Sequence, residues 1–160
     1  MTAGIFATSG ARLYIGGVIS PKNSDFVSGD FSGQSWVEVN WLENLGQFGD
    51  QSSNIKFDAI KDKRTHKLKG NRDAGDMAII CGIDYSDLGQ IALRAAEETP
   101  YNYAFKVEFN DMPSGGTTNS LRYFLALVMD SREQLDTANN VMKLTATLGV
   151  NSNVVKVYAS

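Results

Sequence analysis

The feature that most constrains this chain is an apolar/polar alternation of period two, which returns in segment after segment. Successive side chains of an extended strand point to opposite faces, so such alternation marks strands with one buried side. Between Trp36 and Trp41, Val37, Val39 and Trp41 share one face, and Trp36, Glu38 and Asn40 share the other. From Asn54 to Ile60, Ile55, Phe57 and Ala59 oppose Asn54, Lys56 and Asp58. Tyr103, Phe105, Val107 and Phe109 oppose Asn102, Ala104, Lys106 and Glu108, and Met142, Leu144, Ala146 and Leu148 oppose Val141, Lys143, Thr145 and Thr147. Further strands are expected at Arg12 to Gly16, Met77 to Ile83, Ser120 to Met129 and Val154 to Tyr158.

One segment follows a different period. From Ser86 to Glu98, Leu88, Ile91, Ala92 and Ala95 recur at helical spacing and predict a helix whose apolar stripe packs on a sheet. Asp84 or Ser86 can cap its start, and Pro100 lies just past its end. The 160 residues carry no internal repeat or linker, so a single domain over 1–160 is expected. Its predicted fold is mainly β: an antiparallel β-sandwich or barrel with one α-helix closing a side.

Few residues offer chemistry. Cys81 is the only cysteine and lies in an apolar run, which fits a buried thiol and precludes an intrachain disulfide. His66 is the only histidine and is surrounded by cations, which disfavour both its protonated form and a metal ion. Zinc needs several Cys or His ligands, and Asp73, Asp76, Asp84 and Asp87 lack the spacing of a calcium loop. No nucleophile elbow, phosphate loop or dinucleotide fingerprint is present. We therefore expect neither an enzyme nor a cofactor. The apolar runs are too short to span a bilayer, and Met1 to Gly10 lacks the pattern of a signal peptide.

Charge is unevenly placed. Residues 61–72 carry Lys61, Lys63, Arg64, Lys67, Lys69 and Arg72 against Asp62 alone, a net of +5; the whole chain is −3, so the remainder is −8. A DNA-binding domain would be basic across a face. A basic loop on an acidic body fits a solvated hairpin tip, an acidic partner surface or nucleic acid, and a second copy of the chain is an available acidic partner. Those six cations are the expected inter-subunit contacts, in a loop poorly ordered in the free monomer. The strand Ser120 to Met129 has large apolar groups on both faces, so Phe124 is expected to face a neighbouring copy rather than the core.

Several segments in order resemble the tail tube proteins of long-tailed bacteriophages. They are Trp36-Val37-Glu38-Val39 to Leu45-Gly46-Gln47-Phe48-Gly49-Asp50 with Ile55-Lys56-Phe57, then Lys69 to Asp76 and a strand. The helix start Asp87-Leu88-Gly89-Gln90-Ile91-Ala92-Leu93 and the strands Tyr123 to Met129 and Val141 to Leu148 complete the likeness. The resemblance implies hexameric rings whose sheets join into a continuous inner barrel, stacked into a virion tail assembled in the host cytoplasm. It implies a tape-measure protein during assembly, tail terminator and tail-tip partners, and double-stranded DNA passing without specific binding; Glu38 and Asp58, which alternate against apolar faces, are then the candidates to line the inner wall. A type VI secretion-like tube protein or another tail component such as a terminator is the alternative.

Overall fold

A computed structural model describes residues 4–160; of the stretch Met1–Gly10, residues 1–3 lie outside the described residues. In chain order the elements are β1 (Arg12–Val18), a short 3-10 helix (Ser28–Phe31), β2 (Val37–Val39), β3 (Leu42–Asn44), β4 (Gln51–Asp58), β5 (Thr65–Asp73) and β6 (Asp76–Gly82). They continue with α1 (Leu88–Glu97), β7 (Tyr103–Glu108), β8 (Leu121–Gln134), β9 (Lys143–Val150) and β10 (Val155–Val157). Eight strands form one antiparallel sheet in the order β2-β1-β7-β8-β9-β6-β3, with β10 paired to β8. The path does not close into a barrel. Its two ends, β2 and β3, are joined in sequence by Asn40 and Trp41 alone.

Alternation becomes burial wherever this sheet curls around the core. Leu144, Ala146, Leu148 and Val150 of β9 and Met77, Ile79 and Cys81 of β6 all point inward. They meet Leu13 and Ile15 of β1, Phe105 and Val107 of β7, Phe124 and Val128 of β8, and Leu93 and Ala96 of α1. A smaller cluster occupies the opposite side of the sheet, where Phe26 and Phe31 cover Ala104 and Leu125. Asn153 clamps that cover, accepting from the Phe26 amide at 2.7 Å and donating to its carbonyl at 3.0 Å.

These two clusters overturn the expectation for Phe124. Its side chain is 0% exposed and lies between Phe48 and Phe105, with ring centroids 5.6 and 5.8 Å away. Both faces of β8 are apolar because the chain itself covers both: Phe124 faces the main core and Leu125 the Phe26–Phe31 cover. Nor is β8 a simple sheet edge, since β7 pairs with Leu121 to Ala126 on one side and β10 and β9 pair along the other.

The helix is rotated from its expected phase. Its buried face is Gly89, Gln90, Leu93 and Ala96, while Leu88, Ile91 and Ala95 face outward and only Ala92 of the stripe packs against the core. Asp87, rather than Asp84 or Ser86, caps the helix by accepting from the Gln90 amide. The reason is a joint between α1 and the β2–β3 corner. Gly89 lies so close to the Glu38 carbonyl that a Cβ would collide with backbone. Gln90, 0% exposed, donates to the Asn40 and Gly82 carbonyls at 3.1 and 2.8 Å and accepts from the Asp84 amide at 3.0 Å. Asp87 also accepts from the Asn40 backbone and side chain. Trp41 turns the corner at φ 63° and points outward, so it does not share the face of Val37 and Val39.

A candidate self-assembly interface

The basic run belongs to an arm rather than to a disordered loop. Strands β4 and β5 pair with each other and with no other strand among the described residues. Their register places Asn54 opposite Lys69, Ile55 opposite Leu68, Lys56 opposite Lys67, Phe57 opposite His66 and Asp58 opposite Thr65. Cross-strand partners share a face. One face of the ribbon therefore carries Ile55, Phe57, Leu68 and His66, and the other Asn54, Lys56, Asp58, Thr65, Lys67 and Lys69.

Both faces are open to solvent. Ile55 is 48% exposed, Phe57 64% and Leu68 64%, so the side expected to be buried is uncovered. The tip, where Lys63 adopts φ 55°, carries Lys61, Lys63, Arg64 and the fully exposed Ile60. His66 is engaged with Asp62 there. Arg72 sits at the root of the arm, 3.5 Å from Asp50. The structure thus brings five of the six predicted cations onto one projecting element and leaves the sixth in an ion pair at its base.

Glu38 and Asp58 are not brought together. Asp58 lies on the arm, accepting from the Thr65 hydroxyl at 2.6 Å, and the buried face invoked to orient it is exposed. Glu38 lies on the main sheet, in a row with Tyr14, Lys106 and Tyr123. The charges in that region offset one another. Arg12 is 3.9 Å from Glu38, and the Lys106 ammonium lies 4.3 Å from the Tyr14 ring centre and 5.2 Å from that of Trp36. Burial draws the Lys106 pKa down, opposed by the nearby Glu108 carboxylate.

Three of the four aspartates considered for calcium have structural partners. Asp73 accepts from the Gly75 amide, Asp84 from Ser86 and the Trp41 indole, and Asp87 from the helix start. Cys81 is buried, and desolvation pushes its thiol up to about 11.

A second open element extends beyond the strand expected over Ser120 to Met129. Past Ala126, β8 continues to Gln134 with β9 on one side and, among the described residues, no strand on the side that β7 occupied earlier. Strand alternation alone does not reveal where a neighbour stops. The informative signal is the length of the extended run beyond Met129, which includes Asp130, Arg132 and Glu133, charges typical of a guarded edge.

No family model and no curated protein matches the sequence. Solved structures do. The chain is similar to a component of the anti-feeding prophage baseplate, with a TM-score of 0.71 at 9% identity, covering 100% of this chain and 99% of that one. It is similar to a chain of the PVC sheath/tube terminator of an extracellular contractile injection system, with a TM-score of 0.64 at 10% identity and coverages of 98% and 99%. It is also similar to the SPP1 tail tube protein, with a TM-score of 0.59 at 12% identity and coverages of 91% and 75%. At such identities the likeness is one of fold, and the fold is that of phage tail tube proteins.

Proposed function

We propose that this chain is a non-enzymatic structural subunit of a phage tail tube. Copies close into hexameric rings, the rings stack, and their channel carries DNA into the host cell. The observation that carries this reading is the β4–β5 arm. A two-stranded ribbon is marginal in water by itself, and this one exposes Ile55, Phe57 and Leu68 on one side. Such an arm gains most of its stability from a surface outside its own chain. The six cations Lys61, Lys63, Arg64, Lys67, Lys69 and Arg72 are its proposed polar contacts.

The open side of β8 from Leu127 to Gln134 is the proposed junction at which neighbouring sheets meet, which would hide an edge otherwise free to pair without control. A conduit must let DNA slide, and rings of unpaired lysine or arginine would hold phosphate. The outer row around Glu38, where cations are matched by carboxylates or laid over rings, suits that wall. The proposed partners are other copies, the tape-measure protein during assembly, terminator and tail-tip proteins, and DNA in transit without specific binding. The proposed location is the virion tail, assembled in the host cytoplasm.

The likeness to a sheath/tube terminator structure favours one second reading, a terminator or secretion-type tube component. Electron microscopy of the concentrated protein separates the two. Stacked tubes with sixfold end views support a tube subunit, single rings that never stack support a terminator, and monomers at all concentrations overturn both.

A further inference from the structure

We infer that the outer face of α1 is the surface on which the β4–β5 arm of a neighbouring copy docks. This rests on the self-assembly proposed above and names the receiving site. Helix α1 buries Gly89, Gln90, Leu93 and Ala96 against its own sheet, yet its far side is apolar too. Leu88 is 69% exposed and Ile91 45% exposed, and with Ala95 they form one ridge at i, i+3 and i+7. A helix that is apolar on both sides is ordinarily enclosed on both. Something outside the monomer covers this ridge.

The arm of a second copy fits in three respects. Its Ile55–Phe57–Leu68 face is an exposed apolar strip built on regular structure, and apolar surface is best hidden by apolar surface. The dimensions agree: seven residues of helix rise about 10 Å, and the strip from Ile55 to Phe57 with its cross-strand neighbours spans about 7 Å along the ribbon. The charges are opposite. Residues 84–98 hold Asp84, Asp87, Glu97 and Glu98 against Arg94, a net of −3, whereas the arm segment 61–72 is +5. The two surfaces sit on different elements, so the proposed contact is compatible with a head-to-tail interface, the kind that propagates around a ring or along a filament, whereas a reciprocal exchange of arms would stop the cross-linked ladder at dimers.

A rival receiver is the groove of about 680 Å³ at the root of the arm, lined by Phe48, Asp50, Asp73 and Asp76 among others. It matches the arm in charge but offers its apolar strip little beyond the Phe48 ring. Charge alone would choose the groove; charge and apolar matching together choose α1.

The test is site-directed cross-linking in the full chain. Phe57→Cys combined with Ile91→Cys should give a ladder of covalent oligomers with a short bis-maleimide, while Phe57→Cys with Asp73→Cys should give none. Buried Cys81 does not interfere, and both single variants lie on exposed positions, so thermal melting should show wild-type folding. Mixing the two single variants should stop the ladder at dimers. Glu97→Lys with Glu98→Lys should raise the concentration needed for assembly about tenfold, and Lys63→Glu with Arg64→Glu at the tip of the arm should restore it. Tubes that form without the Phe57–Ile91 cross-link, or with the Phe57–Asp73 one instead, overturn the contact while leaving the tube intact. Cross-linked oligomers that never become tubes retain the contact and overturn the tube.

Discussion

Replacing Phe124 by Ala separates a core residue from an interface residue. The side chain is 0% exposed, between Phe48 and Phe105, on a strand held by β7 on one side and β10 and β9 on the other. A buried Phe→Ala change costs about 3–5 kcal/mol, the upper end applying where the site cannot collapse. The paired strands restrain collapse here, and two aromatic contacts each worth about 0.5–1.5 kcal/mol are lost. We expect a loss near 4–5 kcal/mol, a large part of the roughly 5–15 kcal/mol of a typical domain. At about 2–4 °C per kcal/mol for a chain of this size, the melting temperature should fall by about 8–20 °C. Urea unfolding of the monomer followed by Trp36 and Trp41 fluorescence measures it, with Phe57→Ala as the exposed control, expected within about 0.5 kcal/mol of wild type. A Phe124→Ala monomer as stable as wild type yet unable to assemble would return Phe124 to an interface and refute the core assignment.

The α1 joint makes three further predictions. Gln90→Ala leaves the Asn40 and Gly82 carbonyls and the Asp84 amide without their partner, for about 3 kcal/mol at about 1 kcal/mol per bond, measured by denaturant unfolding. Gly89→Ala should destabilise by about 1–3 kcal/mol despite the better helix propensity of Ala, because the added Cβ meets the Glu38 backbone; a more stable variant would show that the joint can open without cost. Asp84 is held below its ordinary pKa of 3.8 by the Ser86 hydroxyl, the Ser86 amide and the Trp41 indole. A depressed carboxylate stabilises above its unfolded pKa and loses that contribution as pH falls through the folded one. Trp41 fluorescence should therefore change below pH 3.8, and Asp84→Asn should remove the transition.

The strands of the main sheet were legible because their alternation records a real difference between core and solvent. In β9 every second residue is buried, and the expected segment Val141 to Leu148 overlaps the observed Lys143–Val150. The helix was legible in place but not in phase. Phase was read from the apolar residues, and the joint buries a glycine for close approach and a glutamine for its hydrogen bonds. Neither residue scores as hydrophobic, although their position just after a capping aspartate is a usable signal. Trp41 left its expected face because a left-handed corner interrupts the extended chain.

The arm shows where alternation reaches its limit. Asn54 to Ile60 alternates as cleanly as Tyr103 to Phe109, yet Phe105 is 0% exposed and Phe57 64%. Period two reports that a strand has two unlike faces; it does not report whose surface covers the apolar one. Three features together distinguish the cases in this chain. The flanking run is strongly cationic, the pairing partner is a single strand, and the opposite face carries lysines directly across from one another, Lys56 beside Lys67. Like charges directly opposite destabilise a ribbon that already lacks a sheet beneath it. A neighbouring acidic copy lowers both costs by separate means: contact covers Ile55, Phe57 and Leu68, and the field of its carboxylates eases the repulsion between the lysines on the opposite face. The features that make the arm costly in the monomer are therefore the ones that make a second copy its fitting partner.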